Sequence, residues 1–281
     1  MTNTISADSR RCDSHFHVFG PAAQYKVGPD LRYTPPLADM ADYRAHIAPF
    51  GITRYVFVQP SAYGRDNSCM LDTMKGLDRA VCRGIVDIDE NAPDAMLAEM
   101  DAIGVRGVRI NVNPIKPPEP GFSATMLARI NRMAARCQEL GWHLDFLLPS
   151  WLTTELLPTL RDLSVPFTLA HIGMHQAKLG PDTPGFQALL DLLRNGRGHA
   201  WIKLTGAYRI SQLDDYADIA PLARAVHAAA PNRLLYGSDY PHLSFQQHST
   251  ARLFALLAEW FPNPADVECI LVDNPAELYR F

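Results

Sequence analysis

Several features are missing from this chain of 281 residues, and each absence removes a class of function. It has only five cysteines, Cys12, Cys69, Cys82, Cys137 and Cys269; none is paired as Cys-x-x-Cys, and the odd, scattered set argues against zinc knuckles and a disulfide framework. No apolar run approaches eighteen residues, and the polar first ten lack a signal core, so a soluble, cytoplasmic protein without a membrane partner is expected. Charge of one sign is also lacking: 26 basic and 30 acidic residues are intermixed for a net −4, leaving no basic stripe for nucleic acid. No glycine-rich phosphate turn follows the first strand-like run, which removes support for a dinucleotide fold. Low-complexity tracts, repeats and linkers are absent as well, so a single domain over 1–281 is expected. Whether it forms a homo-oligomer is left open.

What is present is a regular alternation. Strand-like runs fall at 11–18, 54–60, 83–88, 107–112, 142–148, 165–171, 200–205 and 233–238. Segments with helical periodicity lie at 37–49, 66–79, 93–103, 123–140, 151–163, 185–195, 214–230, 248–261 and 264–279. Eight such repeats predict parallel strands joined by right-handed crossovers, closed into an α/β barrel of the (β/α)8 type; an open doubly wound sheet is the alternative. At 47% hydrophobic residues the chain can fill that core.

Four polar side chains close the apolar runs. In Asp13-Ser14-His15-Phe16-His17 the strand period of two turns both imidazoles to one face and Phe16 to the other. His171 follows the run Val165 to Ala170, and Asp239 comes after the run Arg233 to Tyr236, so all four should meet at the C-terminal ends of barrel strands, where such enzymes build their sites. A lone histidine in an apolar strand is usually a core residue; this set in matching contexts favours catalysis. Arg109, inside an apolar run at the end of the fourth strand, suits a carboxylate. The proline-rich stretch Asn113 to Gly121 and the segment 18–36 read as loops over the site.

In this order, Asp13 to Phe19, Val58-Gln59-Pro60-Ser61-Ala62-Tyr63-Gly64, Gly104 to Asn111, Thr205-Gly206-Ala207-Tyr208-Arg209, Gly237-Ser238-Asp239-Tyr240-Pro241-His242 and Asn274 to Tyr279 resemble the amidohydrolase superfamily of the amidohydrolase 2 type, in its 2-pyrone-4,6-dicarboxylate lactonase-like branch. The resemblance spans nearly the whole chain. It implies a TIM-type barrel that hydrolyses a small anionic lactone, either pyrone dicarboxylate-like, muconolactone-like or a sugar-acid lactone.

Under that resemblance Asp239 is the general base for water. His15, His17 and His171 either donate to the developing oxyanion with no cofactor required, or join Asp239 as ligands of one Zn2+. Both modes stay open at this point. No bridging Lys or Glu can be placed in Trp142-His143-Leu144-Asp145-Phe146-Leu147, which disfavours a binuclear centre, although His143 and Asp145 keep the question alive. Arg209 falls where the family binds an anion. Ser61 and Tyr33 match its hydroxyl donors, and His242 is either a substrate contact or a loop brace. Tyr63 and Tyr208 are weaker candidates. Two departures stand out: Lys116 replaces an arginine, keeping charge but losing the planar fork, and Met174 stands where another arginine is expected, with His175 as a substitute. The competing activities are zinc-dependent decarboxylation of aromatic acids and lactone isomerisation.

Overall fold

The computed structural model describes residues 9–28, 33–112, 120–243 and 248–281. Its centre is an eight-stranded parallel sheet in sequential order: β1 (Arg11–Phe16), β2 (Ile52–Val58), β3 (Cys82–Val86), β4 (Val105–Asn111), β5 (His143–Leu147), β6 (Phe167–Leu169), β7 (Ala200–Leu204) and β8 (Leu234–Tyr236). All eight expected strand runs are strands. The ring closes between first and last, where the Asp239 N–H donates to the His15 carbonyl at 2.8 Å and the His17 N–H to the Tyr240 carbonyl at 2.9 Å. The (β/α)8 barrel, not the open sheet, is therefore the architecture.

Around it run α1 (Met40–Ile47), α2 (Ser68–Lys75), α3 (Asp94–Ile103), α4 (Phe122–Leu140), α5 (Ser150–Asp162), α6 (Pro184–Asn195), the single turn α7 (Ala207–Ile210), α8 (Ala220–Ala229), α9 (Thr250–Trp260), α10 (Pro264–Glu268) and α11 (Asn274–Tyr279). The expected helices are all represented, while α7 had no periodicity to reveal it. In α4 the buried residues Met126, Ile130, Met133, Ala134 and Cys137 recur at helical spacing, and Gly141 ends the helix in the left-handed conformation.

Two apolar clusters fill the molecule. The larger lies between strands and helices; the smaller, Cys12, Val56, Val58, Ile85, Trp201, Leu235, Leu278 and Tyr279, joins inward-facing strand residues to the end of the chain. Four of the free cysteines are buried core residues and Cys269 is half-buried. Among the described residues no helix is long and apolar enough to cross a membrane.

β1 carries the local irregularity that matters most. Its pairing with β2 slips between Asp13 and Phe16, where three steps along β1 match two along β2, a bulge that redirects side chains at the rim of the barrel. Phe16 stacks on Tyr43 of α1 with ring centroids 3.8 Å apart, while His15 and His17 turn the other way. Asp13 pins the bulge: one oxygen accepts the N–H groups of His15 and Ser238 and the other the Tyr43 hydroxyl at 3.0 Å. Burial raises its carboxyl to about 6 against these hydrogen bonds. Tyr43→Phe should therefore cost about 1–3 kcal/mol, because a buried acceptor loses its partner; a urea midpoint unchanged from that of the parent protein would refute this role.

Candidate active site

His15, His17, His171 and Asp239 come together at the top of the barrel. The His15 ring lies 5.1 Å from that of His17 and 5.5 Å from that of His171. Asp239 Oδ1 stands 3.5 Å from both His15 Nε2 and His17 Nε2. Three of the four lie past the strand ends: β1 stops at Phe16, β6 at Leu169 and β8 at Tyr236, and His171 and Asp239 follow in tight turns. His171, Ile172, Met174, Asp239 and His242 all take positive φ, between 51° and 59°. Left-handed backbone at a β-branched residue such as Ile172 is costly and is found where packing enforces it, commonly at functional sites.

The two oxygens of Asp239 have different surroundings. Oδ2 accepts from the Tyr208 hydroxyl and from Arg209 Nε at 2.8 Å, whereas Oδ1 is buried without a hydrogen-bond partner. Burial would raise this carboxyl, but Arg209, followed by His171, His17 and His15, holds it well below the usual carboxylate range. The imidazoles are pushed the other way: burial drives His171 down to about 3 and lowers His15 and His17 against the attraction of Asp239. The cluster at neutral pH is thus one carboxylate among neutral imidazoles. His17 donates Nδ1–H to the Val58 carbonyl at 2.8 Å, and His171 Nδ1 pairs with the Thr205 hydroxyl at 2.7 Å.

Arg109 is buried on β4 two residues before the strand ends, not at its end, and its Nη1 donates to the Gln59 carbonyl at 2.6 Å. Its Nε has no partner, and Tyr33 is one of the groups acting on its charge. The Tyr33 and Ser61 hydroxyls lie 3.3 Å apart. Arg209, expected as a substrate anchor, commits its Nε to Asp239, and Tyr208 rises from a weak candidate to a direct partner of the same carboxylate. His242 packs edge-on against Tyr208, 5.7 Å between centroids, with Nε2 3.5 Å from the Thr250 hydroxyl. The His248 ring stacks on that of Tyr208, 5.0 Å between centroids. His175 binds the Gly180 carbonyl and packs on Phe186 instead of replacing an arginine. Lys116 lies outside the described residues.

Sequence reasoning missed Lys203. It is fully buried on β7 with Nζ 2.5 Å from Asp145 Oδ1 on β5 and 3.5 Å from His15 Nδ1. Burial opposes the Asp145 charge, yet Lys203 and then Arg109 hold its carboxyl down at about 2. The signal was a single lysine inside Ala200-Trp201-Ile202-Lys203-Leu204, a run otherwise apolar. His143, by contrast, lies toward Tyr279, at 5.3 Å between ring centroids, away from the cluster.

A family model described as Amidohydrolase matches residues 12–281. The chain belongs to the amidohydrolase family. This amidohydrolase is 35% identical over 272 residues to a 4-sulfomuconolactone hydrolase of Hydrogenophaga intermedia, covering 95% of this chain and 88% of that one. It is 30% identical to a 2-pyrone-4,6-dicarboxylate hydrolase of Comamonas testosteroni and 28% to a D-galactarolactone isomerase of Agrobacterium fabrum, over 95% of this chain and 89% and 90% of theirs. A crystal structure from Agrobacterium tumefaciens superposes with a TM-score of 0.85 at 27% identity, covering 97% of this chain and 96% of that one.

The donor set also bears on a metal. In this amidohydrolase His15, His17 and Asp239 offer ligand atoms within 4.8 Å of one another, but His171 is outside that group. Three cations, Lys203, Arg109 and Arg209, bear electrostatically on these groups. Moreover Lys203 Nζ stands 3.5 Å from His15 Nδ1, where a ligating imidazole ordinarily has a hydrogen-bond acceptor. As arranged, the residues do not fit a divalent cation.

Proposed function

We propose that this amidohydrolase opens a small lactone carrying one or two acid groups, by general-base hydrolysis at Asp239. The observation that carries the reading is the asymmetry of that carboxylate: Oδ2 is held by Tyr208 and Arg209, while Oδ1 is unpartnered and faces His15 and His17. Water between Oδ1 and the lactone carbonyl loses a proton to Oδ1 as its oxygen bonds to the carbonyl carbon. An imidazole N–H of the cluster, that of His15, stabilises the resulting oxyanion. The tetrahedral species then collapses, the ring C–O bond breaks, and the departing oxygen takes the proton back from Asp239. Arg109, Tyr33 and Ser61 hold the acid group away from the scissile bond. The names of the relatives, two lactone hydrolases and one lactone isomerase, support the substrate class.

Methionine at 174 in place of a further arginine favours a substrate with fewer strong anionic contacts than pyrone dicarboxylate. The test is a panel of pyrone dicarboxylate, muconolactones, their sulfonated analogues and aldonolactones, run before and after chelation with products identified by mass. Ring opening with gain of one water supports the reading; a product of unchanged mass would mean isomerisation, and no reaction with any lactone would refute it.

The pH profile is a second check. Since His171 is held near about 3, the other two imidazoles are lowered by burial, and Asp239 is lowered by Arg209, every group keeps its working protonation state above the acid range. Activity should be flat between about pH 7 and 9, and the first loss below that range should follow protonation of Asp13, raised to about 6. A fall in kcat/KM within the flat range would contradict neutral, buried imidazoles.

A further inference from the structure

We infer that the buried Lys203–Asp145 pair is a positioning device that makes His15 a hydrogen-bond donor and denies its Nε2 to a metal. Lys203 and Asp145 point into the barrel from β7 and β5, both fully buried, with Thr168 of β6 donating its hydroxyl to the same Asp145 oxygen. The interior places Lys203 directly behind His15, at 3.5 Å from Nδ1. Asp145 at 2.5 Å keeps the side chain an ammonium, which has three donors and no lone pair. Nδ1 can meet it only as an acceptor, and a neutral imidazole has one hydrogen, which must then be on Nε2. That hydrogen is aimed at the region of Asp239 Oδ1.

A ligating histidine ordinarily has the opposite arrangement, with its second nitrogen donating to a carboxylate, carbonyl or water. His17 has it, through the Val58 carbonyl. His15 has a cation in the place of that acceptor, and after burial this lysine is the largest influence keeping the ring uncharged. Two adjacent histidines are thus set in opposite senses by what lies behind them.

The inference deepens the hydrolytic reading, since both use the Asp239 cluster, but its test does not depend on a lactone. Long-range 1H–15N spectra of the imidazoles of the intact protein, with His15 assigned by the signals lost in folded His15→Asn, should show Nδ1 bare and Nε2 protonated; a proton on Nδ1 in the parent protein overturns the inference. Zinc affinity is then compared by chelator competition in the parent protein, in Lys203→Met and in Lys203→Met/Asp145→Asn. The double change leaves no uncompensated member of the ion pair, which is the tolerated way to remove one. The double variant should bind zinc at least about tenfold more tightly, the size expected when the partner behind a ligand changes. Equal affinities in the parent and the folded double variant would overturn the proposal. If the tautomer is as stated and no lactone is opened, the proposed activity fails while this inference stands; the reverse result separates them the other way.

Discussion

Asp239→Asn is expected to lower kcat by about 10^3–10^4-fold, the loss that follows removal of a positioned general base. The substitution is nearly isosteric, and an amide oxygen can still accept from Tyr208 and Arg209 on the Oδ2 side. What disappears is the basicity of Oδ1, the buried atom with no partner. Ligand affinity, measured by competition with a product analogue, should therefore change only a few-fold while turnover collapses. A variant that keeps more than about a tenth of the parent rate would remove Asp239 from the chemistry and shift attention to the imidazoles.

Gly237→Ala is expected to be the most damaging substitution among the glycines of the site, through packing alone. A Cβ at 237 would stand 2.5 Å from His15 Cβ, 2.6 Å from its backbone nitrogen and 2.9 Å from its Cα, so strand must move against strand. The position lies at the junction that closes the barrel, between the Asp13 clamp and the Asp239 N–H to His15 carbonyl hydrogen bond. Overpacking of this kind costs about 1–3 kcal/mol, and separation of His15 from Asp239 by even about 1 Å should reduce kcat/KM by roughly 100-fold. Gly76→Ala is the control, since a Cβ there meets only ordinary contact at 3.4 Å. Thermal melts and steady-state rates on both variants check the pair; equal behaviour would mean that the junction tolerates slack.

The physical reach of each signal explains how much could be read beforehand. Helices, strands and their alternation are local patterns, and the barrel follows from eight of them in order. The His15 and His17 pairing was legible because strand parity is a two-residue property, and Asp239 and His171 were legible because polar residues closing apolar runs mark strand ends. Their left-handed turns were not, since neither residue is a glycine and only tertiary packing holds non-glycine backbone at positive φ. Arg209 and Arg109 were both visible from sequence, but that Arg209 would meet the Asp239 carboxylate and Arg109 the Gln59 carbonyl was not. The bulge between Asp13 and Phe16 left no mark in composition either.

The amino-acid sequence by itself determined the fold class, the family and the four polar groups at the centre, because these rest on short-range periodicity and on motifs of a few residues. Only the tertiary structure decided that Arg209 and Tyr208 serve one oxygen of Asp239, that His242 packs on Tyr208, and that Lys203 and Asp145 meet behind His15. Lys203 and Asp145 are on different strands, and the register of a closed ring of parallel strands determines which inward side chains share a layer; Tyr208, Arg209 and Asp239 lie past strand ends, where turns that tertiary packing holds bring them together.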